Sequence, residues 1–221
     1  MLDQISQKIA VPAYIFMGGT FDPVHCGHID GAISVSQLFD DNLVHLLPTK
    51  IPVHKQKPST SVAQRIAMLK LATENYETIT LDLREVEAAS QSFTIESLKQ
   101  LRCEVGAKRP LIMVIGMDSF LTLPQWRDSD QFMQLCHIVV LQRPNYQQNK
   151  LAHDSLYFEN IVESVDALKI GSAGKIFFLA QPPIDISASE IRRQITNSKT
   201  PSLLPVKVAN YINRHHLYQE M

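Results

Sequence analysis

The stretch that most limits how this chain can fold is Ala13-Tyr14-Ile15-Phe16-Met17-Gly18-Gly19-Thr20-Phe21-Asp22-Pro23-Val24-His25-Cys26-Gly27-His28. Its first four residues are apolar enough for a buried strand. From Ile29 onward Ala32, Ile33 and Leu38 recur at helical spacing until Asp40 and Asp41. A strand, a glycine turn and a helix in direct succession point to α/β architecture. At such a junction free backbone N–H groups and the positive end of the helix dipole face outward, which suits phosphate. Gly18 and Gly19 are expected to let the chain turn sharply and to bring bare backbone close to a ligand.

His25 and His28 are three residues apart, so within a helix they share one face. Two imidazoles at a phosphate-binding helix start suit contacts to a triphosphate. A His-x-x-His pair also serves as a metal site, and a Gly-Gly pair alone is usually only a turn. Zinc, however, wants further Cys or His ligands at suitable spacing, and Cys26 would point off the shared face. The residues are therefore read as phosphate contacts, with no metal ligand assigned to the protein.

The rest of the chain alternates strand and helix. Leu43-Val44-His45-Leu46-Leu47-Pro48 reads as a second strand, with His45 in the core or at its rim. Thr49-Lys50-Ile51-Pro52-Val53-His54-Lys55-Gln56-Lys57-Pro58 is a basic, proline-punctuated loop at that strand's carboxyl end, where open parallel sheets bind ligands. Ser61-Val62-Ala63-Gln64 has the form of a capping box for a helix with Val62, Ile66, Leu69 and Ala72 inward. Ile79, Leu81 and Leu83 alternate as a third strand, and Ser92-Phe93-Thr94 opens a helix through Ile95, Leu98 and Leu101. The fourth strand covers 110–116 and ends at Gly116, just before Asp118. Leu123-Pro124-Gln125-Trp126 leads to a short helix at 129–135, and 137–141 is the fifth strand. Residues 145–174 are polar and read as a variable excursion, followed by a sixth strand at 175–179. Ser187 and Glu190 suggest a second capping box, and Pro205 sits at the first turn of a last helix through Val208, Ala209 and Ile212. The implied fold is α/β, a doubly wound and mainly parallel sheet with C-terminal helices. One domain over 1–221 is expected, with a Rossmann-like core at about 12–186 and a helical part at about 187–221.

Charge and cysteine usage narrow the setting. A net charge of −1 argues against a general nucleic-acid coat, and no nucleic-acid partner is expected. Cys26, Cys103 and Cys136 form neither a disulfide framework nor a zinc spacing, which favours a reducing, cytoplasmic setting. Asp3, Gln4, Ser6, Gln7 and Lys8 interrupt any secretory apolar region, and no stretch is apolar over the roughly 20 residues of a membrane span. The first turn lacks Gly-x-Gly-x-x-Gly and no Gly-x-x-x-x-Gly-Lys occurs, against ordinary dinucleotide binding and P-loop hydrolysis.

Ile186-Ser187-Ala188-Ser189-Glu190-Ile191-Arg192 places hydroxyls, amides and a guanidinium at one helix start. Together with His25 and His28 it suggests two clamps on one triphosphate. The Gly-Gly-Thr-Phe-Asp-Pro-Val-His-x-Gly-His stretch resembles the signature of the adenylyl- and cytidylyltransferases related to class I aminoacyl-tRNA synthetases. With Pro52-Val53-His54-Lys55, Ser92-Phe93-Thr94, Ile115-Gly116-Met117-Asp118-Ser119, Pro124-Gln125-Trp126, Arg143-Pro144 and the 186–192 element, the chain resembles the bacterial nicotinate-nucleotide adenylyltransferase family. Val53, Phe93, Asn145 and Ser189 depart from residues common there, and none removes a group the chemistry needs.

The resemblance implies a Rossmann-like nucleotidyltransferase fold, ATP and nicotinate mononucleotide as substrates, and Mg²⁺ carried with ATP. It implies catalytic roles for His25, His28, Lys55 and Arg192, with His54 as a helper of Lys55. ATP would further meet Gly18, Gly19, Thr20, Phe21, Gly116, Asp118, Ile186, Ser187 and Ser189. Nicotinate mononucleotide would meet Lys55, Thr94, Trp126 and Arg143. The alternatives are a sister transferase acting on nicotinamide mononucleotide, phosphopantetheine or a phosphorylated polyol, and a non-catalytic nucleotide-binding module.

Overall fold

A computed structural model describes residues 12–50, 58–89, 93–142, 157–180, 186–199 and 201–219. Its strands are β1 (Tyr14–Gly19), β2 (Val44–Pro48), β3 (Ile79–Leu81), β4 (Leu111–Gly116), β5 (His137–Leu141), β6 (Ile161–Val162) and β7 (Ile176–Leu179). They form one seven-stranded sheet in the order β3-β2-β1-β4-β5-β7-β6, with parallel pairing throughout. The helices are α1 (Cys26–Leu38), α2 (Val62–Thr73), α3 (Arg84–Glu87), α4 (Thr94–Val105), α5 (Met117–Thr122), α6 (Phe132–Leu135), α7 (Asp166–Ile170), α8 (Ala188–Thr196) and α9 (Val206–Arg214).

The strands are apolar along their length because both faces of the sheet are covered. Ile15 and Met17 of β1 enter one core with Ile29, Ala32 and Val35 of α1, Met68 and Leu69 of α2, Ile191 of α8 and Val208 of α9. Phe16, between them, enters the other with Leu98 and Leu101 of α4 and Phe132 of α6. The sheet is doubly wound, as the alternation of elements implies. The chain runs outward from β1 through β2 to β3, then returns to place β4 on the other side of β1. A crevice therefore opens between the carboxyl ends of β1 and β4, where ligands of such sheets bind.

The opposite, amino-terminal edge is closed. Arg102 spreads its guanidinium donors over the carbonyls of Gly106, Arg109, Leu135 and Ser172, just ahead of β4, β5 and β7. His137 is fully buried, one ring nitrogen bonded to the Gly171 carbonyl and the other to the Lys175 N–H.

Several expectations change in detail. The third strand stops at Leu81 because Asp82 accepts the Arg84 N–H and starts α3, which carries Leu83 out of the strand pattern. The short helix at 129–135 divides into a 3₁₀ turn (Ser129–Gln131) and α6. The described part of the polar excursion is ordered into the edge strand β6 and α7, elements too short to show a period. Tyr157 anchors it, buried and donating to the Ser129 carbonyl at 2.9 Å. The inward face of α2 is turned from the expected one: Arg65, Met68, Leu69, Ala72 and Thr73 are buried, while Val62 and Ile66 are half-buried. The Ser61–Gln64 capping box forms completely. Ser187 caps α8 by accepting from the Glu190 N–H, but the Glu190 carboxylate turns to Arg193 and Gln194, so only half of that box exists. Among the described residues no helix is long and apolar enough to cross a membrane.

Candidate active site

The glycines of the signature do not make the turn. Gly18 and Gly19 are still in β1, paired with Leu47 and Pro48 of β2. The chain turns at Phe21, which has a left-handed φ of 51° and is 2% exposed. A bulky residue adopts that conformation only where its surroundings hold it. Gly19 supplies the space: a Cβ there would lie 2.9 Å from the Phe21 ring. Gly18 instead faces the open end of the crevice, with nothing within 4 Å of where its Cβ would be.

His25 is the N-cap of α1 rather than a residue of its first turn, and is buried. Its backbone N–H donates to His28 Nδ1 at 3.3 Å, and the rings stack with centroids 3.7 Å apart. Because Nδ1 accepts, a neutral His28 carries its proton on Nε2. Phe21 meets the His28 ring edge-on, with centroids 5.0 Å apart. The helix-start amides are not all free, since Cys26 N–H bonds to the Leu203 carbonyl at 3.0 Å. Burial, with Asp30 nearby, raises the Cys26 thiol and keeps it protonated.

The late serine–arginine element meets this turn directly. The Ile186 methyl lies 3.1 Å from where a Gly27 Cβ would sit, so Gly27 is what allows the 186–192 segment to seat against α1. Arg192 Nη1 donates to the Asp22 carbonyl at 2.7 Å, and Nη2 donates to Ser189 Oγ at 3.2 Å. Ser187 Oγ accepts its cap hydrogen bond, which leaves its hydroxyl proton available as a donor. The two expected helix starts are thus brought together.

Across the crevice, Gly116 ends β4 and the Asp118 carboxylate folds back over it; a Gly116 Cβ would lie 2.6 Å from Oδ1. Trp126 is half-buried beyond β4, its ring edge-on to Phe132 at 6.3 Å. Arg127 stacks over the Phe93 ring at 4.5 Å, which draws the Trp126 segment against the start of α4, where Thr94 is the first residue. His54, Lys55, Ser92 and Arg143 lie outside the described residues. Among the described residues there is no cluster of three or more His, Cys, Asp or Glu able to hold a metal ion.

Sequence reasoning missed three groups beneath the site. Asp22 is 4% exposed and accepts from Ser59 N–H, Thr60 Oγ1 and Tyr218 Oη. Arg65, 1% exposed, donates to the Thr20 and Lys50 carbonyls at 2.7 and 3.1 Å. Glu85 is buried and accepts from Ser97 Oγ at 2.8 Å, with the Thr49 side chain near it, while Thr49 N–H bonds to the Gly19 carbonyl. Asp22 stands in the signature without showing there what it holds, and Arg65 and Glu85 belong to no motif, because the partners of a buried charge come from distant segments.

Burial pushes the Glu85 carboxyl up to about 6, against the pull of the Ser97 and Thr49 hydroxyls. The folded state therefore holds this proton more tightly than the unfolded chain does. That contribution to stability is complete below the ordinary value of 4.5 and is lost as pH rises through about 6. Glu85→Gln keeps an acceptor for Ser97 Oγ without the buried charge. The variant is expected to gain about 1–2 kcal/mol over the parent in urea unfolding near neutral pH, and little at about pH 4. An equal effect at both pH values would exclude ionisation of Glu85 as the cause.

A cytidylyltransferase-like family model matches residues 16–194. A probable nicotinate-nucleotide adenylyltransferase of Pseudoalteromonas atlantica is 42% identical over 211 residues, covering 94% of this chain and 95% of that protein. One of the same name from Pseudomonas paraeruginosa is 39% identical over 205 residues, covering 91% and 95%. In fold, the chain is similar to Plasmodium falciparum nicotinic acid mononucleotide adenylyltransferase complexed with NaAD. That match has a TM-score of 0.72 at 16% identity and covers 96% of this chain and 99% of the other.

Proposed function

Because the chain belongs to the cytidylyltransferase-like family, among its nicotinate-nucleotide adenylyltransferases, it is a nucleotidyltransferase, and we propose how its residues carry the reaction. The adenylyl group of ATP passes to nicotinate mononucleotide, giving nicotinate adenine dinucleotide and pyrophosphate in NAD biosynthesis. The observation that carries the residue assignment is the junction of two helix starts at the carboxyl ends of β1 and β4, where Arg192 is bonded to the turn that bears His25 and His28.

In this reading a 5′-phosphate oxygen of the mononucleotide attacks the α-phosphorus of ATP in line. The bond from that phosphorus to the bridging oxygen breaks, and pyrophosphate leaves with the electron pair. Phosphate is already nucleophilic, so no protein nucleophile is required, and the protein contributes positioning and charge stabilisation. His25, His28 and Arg192 face the triphosphate and the charge that develops on the leaving group. Ser187 and Ser189 donate to phosphate oxygens. Gly18, Gly19, Thr20, Phe21 and Ile186 shape the wall that the nucleotide lies against. Gly116 gives close approach, and Asp118 meets ribose hydroxyls. Lys55, aided by His54, and Arg143 bring positive charge to the mononucleotide from segments outside the described residues. Thr94 and Trp126 hold the pyridine ring and its carboxylate. Mg²⁺ carried with ATP would offset phosphate charge, and no residue of the protein is assigned to hold it. The whole chain acts as one domain in the cytoplasm, with these two small molecules, and no nucleic acid or membrane, as its partners.

The test is pyrophosphate release with ATP, Mg²⁺ and a panel of acceptors. Nicotinate mononucleotide is expected to be the best acceptor, ahead of nicotinamide mononucleotide and phosphopantetheine. No product with either pyridine mononucleotide would overturn the reading, and faster turnover of phosphopantetheine would move it to a sister reaction. Trp126→Ala is expected to raise KM for the mononucleotide about tenfold or more, the loss of one stacked ring, with a smaller change for ATP. The opposite ranking would count against stacking.

A further inference from the structure

We propose that Tyr218, near the carboxyl terminus, is a positioning residue for adenylyl transfer that acts through Asp22 on Arg192 and the signature turn. The proposal rests on the transferase reading above. Tyr218 lies 196 residues from Asp22 in the chain, yet its phenol donates to Asp22 Oδ1 at 2.8 Å, and both residues are buried. Thr60 Oγ1 donates to the same oxygen at 2.5 Å, and Ser59 N–H donates to Oδ2 at 2.9 Å. The Asp22 carbonyl, in turn, holds Arg192 Nη1. One residue of the turn therefore joins the C-terminal segment, the approach to α2 and the guanidinium of α8.

The backbone around Tyr218 shows that this contact is built in. After α9 the chain takes left-handed φ values at His216 (51°) and at Tyr218 (63°). Such conformations in residues other than glycine persist where the surroundings over-determine them. Here Leu217 N–H bonds to the Ile212 carbonyl, and Thr196 Oγ1, at the end of α8, donates to the Tyr218 carbonyl at 3.0 Å. The effect is to point a phenol, in place of a backbone group, at a buried carboxylate. Burial and the neighbouring Asp22 raise the phenol far above its ordinary range, so it remains a donor at any working pH.

Without that donor, Asp22 keeps its two carboxylate bonds from the 59–60 segment, while from the C-terminal side only the Arg192 bond to its backbone carbonyl remains to oppose them. The Asp22 peptide then settles toward α2. It carries with it the carbonyl that aims Arg192 and the Phe21 ring that abuts His28.

The experiment begins from the full-length enzyme with turnover of nicotinate mononucleotide established; absence of that turnover defeats the transferase reading, not this one. Tyr218→Phe keeps the ring and removes only the donor. It is expected to lower kcat about tenfold, on the scale of one hydrogen bond to a charged group, with KM for nicotinate mononucleotide unchanged. Combined with Arg192→Lys, it is expected to add no further loss beyond Arg192→Lys alone, because both act through one connection. Thr60→Val, which removes the other donor to Oδ1, is expected to give the same pattern and serves if Tyr218→Phe does not fold. An undiminished kcat in the folded variant, or losses that multiply with Arg192→Lys, overturns the proposal.

Discussion

His28→Ala is expected to lower kcat by about 10²–10³-fold, the scale for removing one preorganised donor to developing charge, while the protein unfolds at nearly the parent temperature. The imidazole is fixed before any ligand arrives. Its Nδ1 accepts from the His25 backbone, and Phe21 borders the ring, so Nε2–H is the donor it can offer. A donor already aimed needs no reorganisation when charge builds on the leaving phosphate. The fold should tolerate the change, because position 28 lies in the first turn of α1 and alanine is the best helix former. Steady-state kinetics beside a thermal melt separate the two effects. Parent-like kcat would remove this imidazole from the mechanism, and a collapsed melting temperature would make its role one of folding.

The largest effect on stability is expected from Arg65→Met. The change fills a similar volume but leaves the Thr20 and Lys50 carbonyls without their donor. It also removes a buried cation whose charge is felt by Asp22. Burial pulls the Arg65 guanidinium below its ordinary value, and Asp22 and Tyr218 draw it back up. Taking one partner from such a set costs about 3 kcal/mol or more, because the groups left behind remain buried and unpaired. For a chain of this size that corresponds to a fall in melting temperature of roughly 6–12 °C. Activity should fall with it. The two carbonyls belong to the signature turn and to the start of the basic loop, and Arg65 sets the spacing between them. Calorimetry is the direct check. A melting temperature within about 2 °C of the parent would show that water satisfies both carbonyls once the guanidinium is gone.

These two residues mark the boundary of what the chain reveals by reading. His28 stands in a motif of fixed spacing, and a motif is a local object: strand, turn and helix start lie within one short run of sequence. Arg65 sits on a helix whose apolar residues fit either of two adjacent faces. Only the packed structure selects the one that buries a guanidinium. The same contrast separates Trp126, marked by its place beyond a strand's carboxyl end, from Arg127, whose use is visible only once Phe93 is beneath it.

From sequence alone came the α/β alternation, the positions of the main strands and helices, the two helix starts that bear His25, His28, Ser187 and Arg192, and the family. Each depends on neighbours in the chain, through periodicity, capping and motif spacing. Tertiary structure alone decided that the signature glycines remain in the strand while Phe21 makes the turn. It also decided that β6 and α7 order part of the polar excursion, and that Asp22, Arg65 and Tyr218 meet beneath the site. The physical reason is that a buried polar group is specified by its partners, and these partners are brought within hydrogen-bonding distance from segments as much as 196 residues apart only when the sheet is wound.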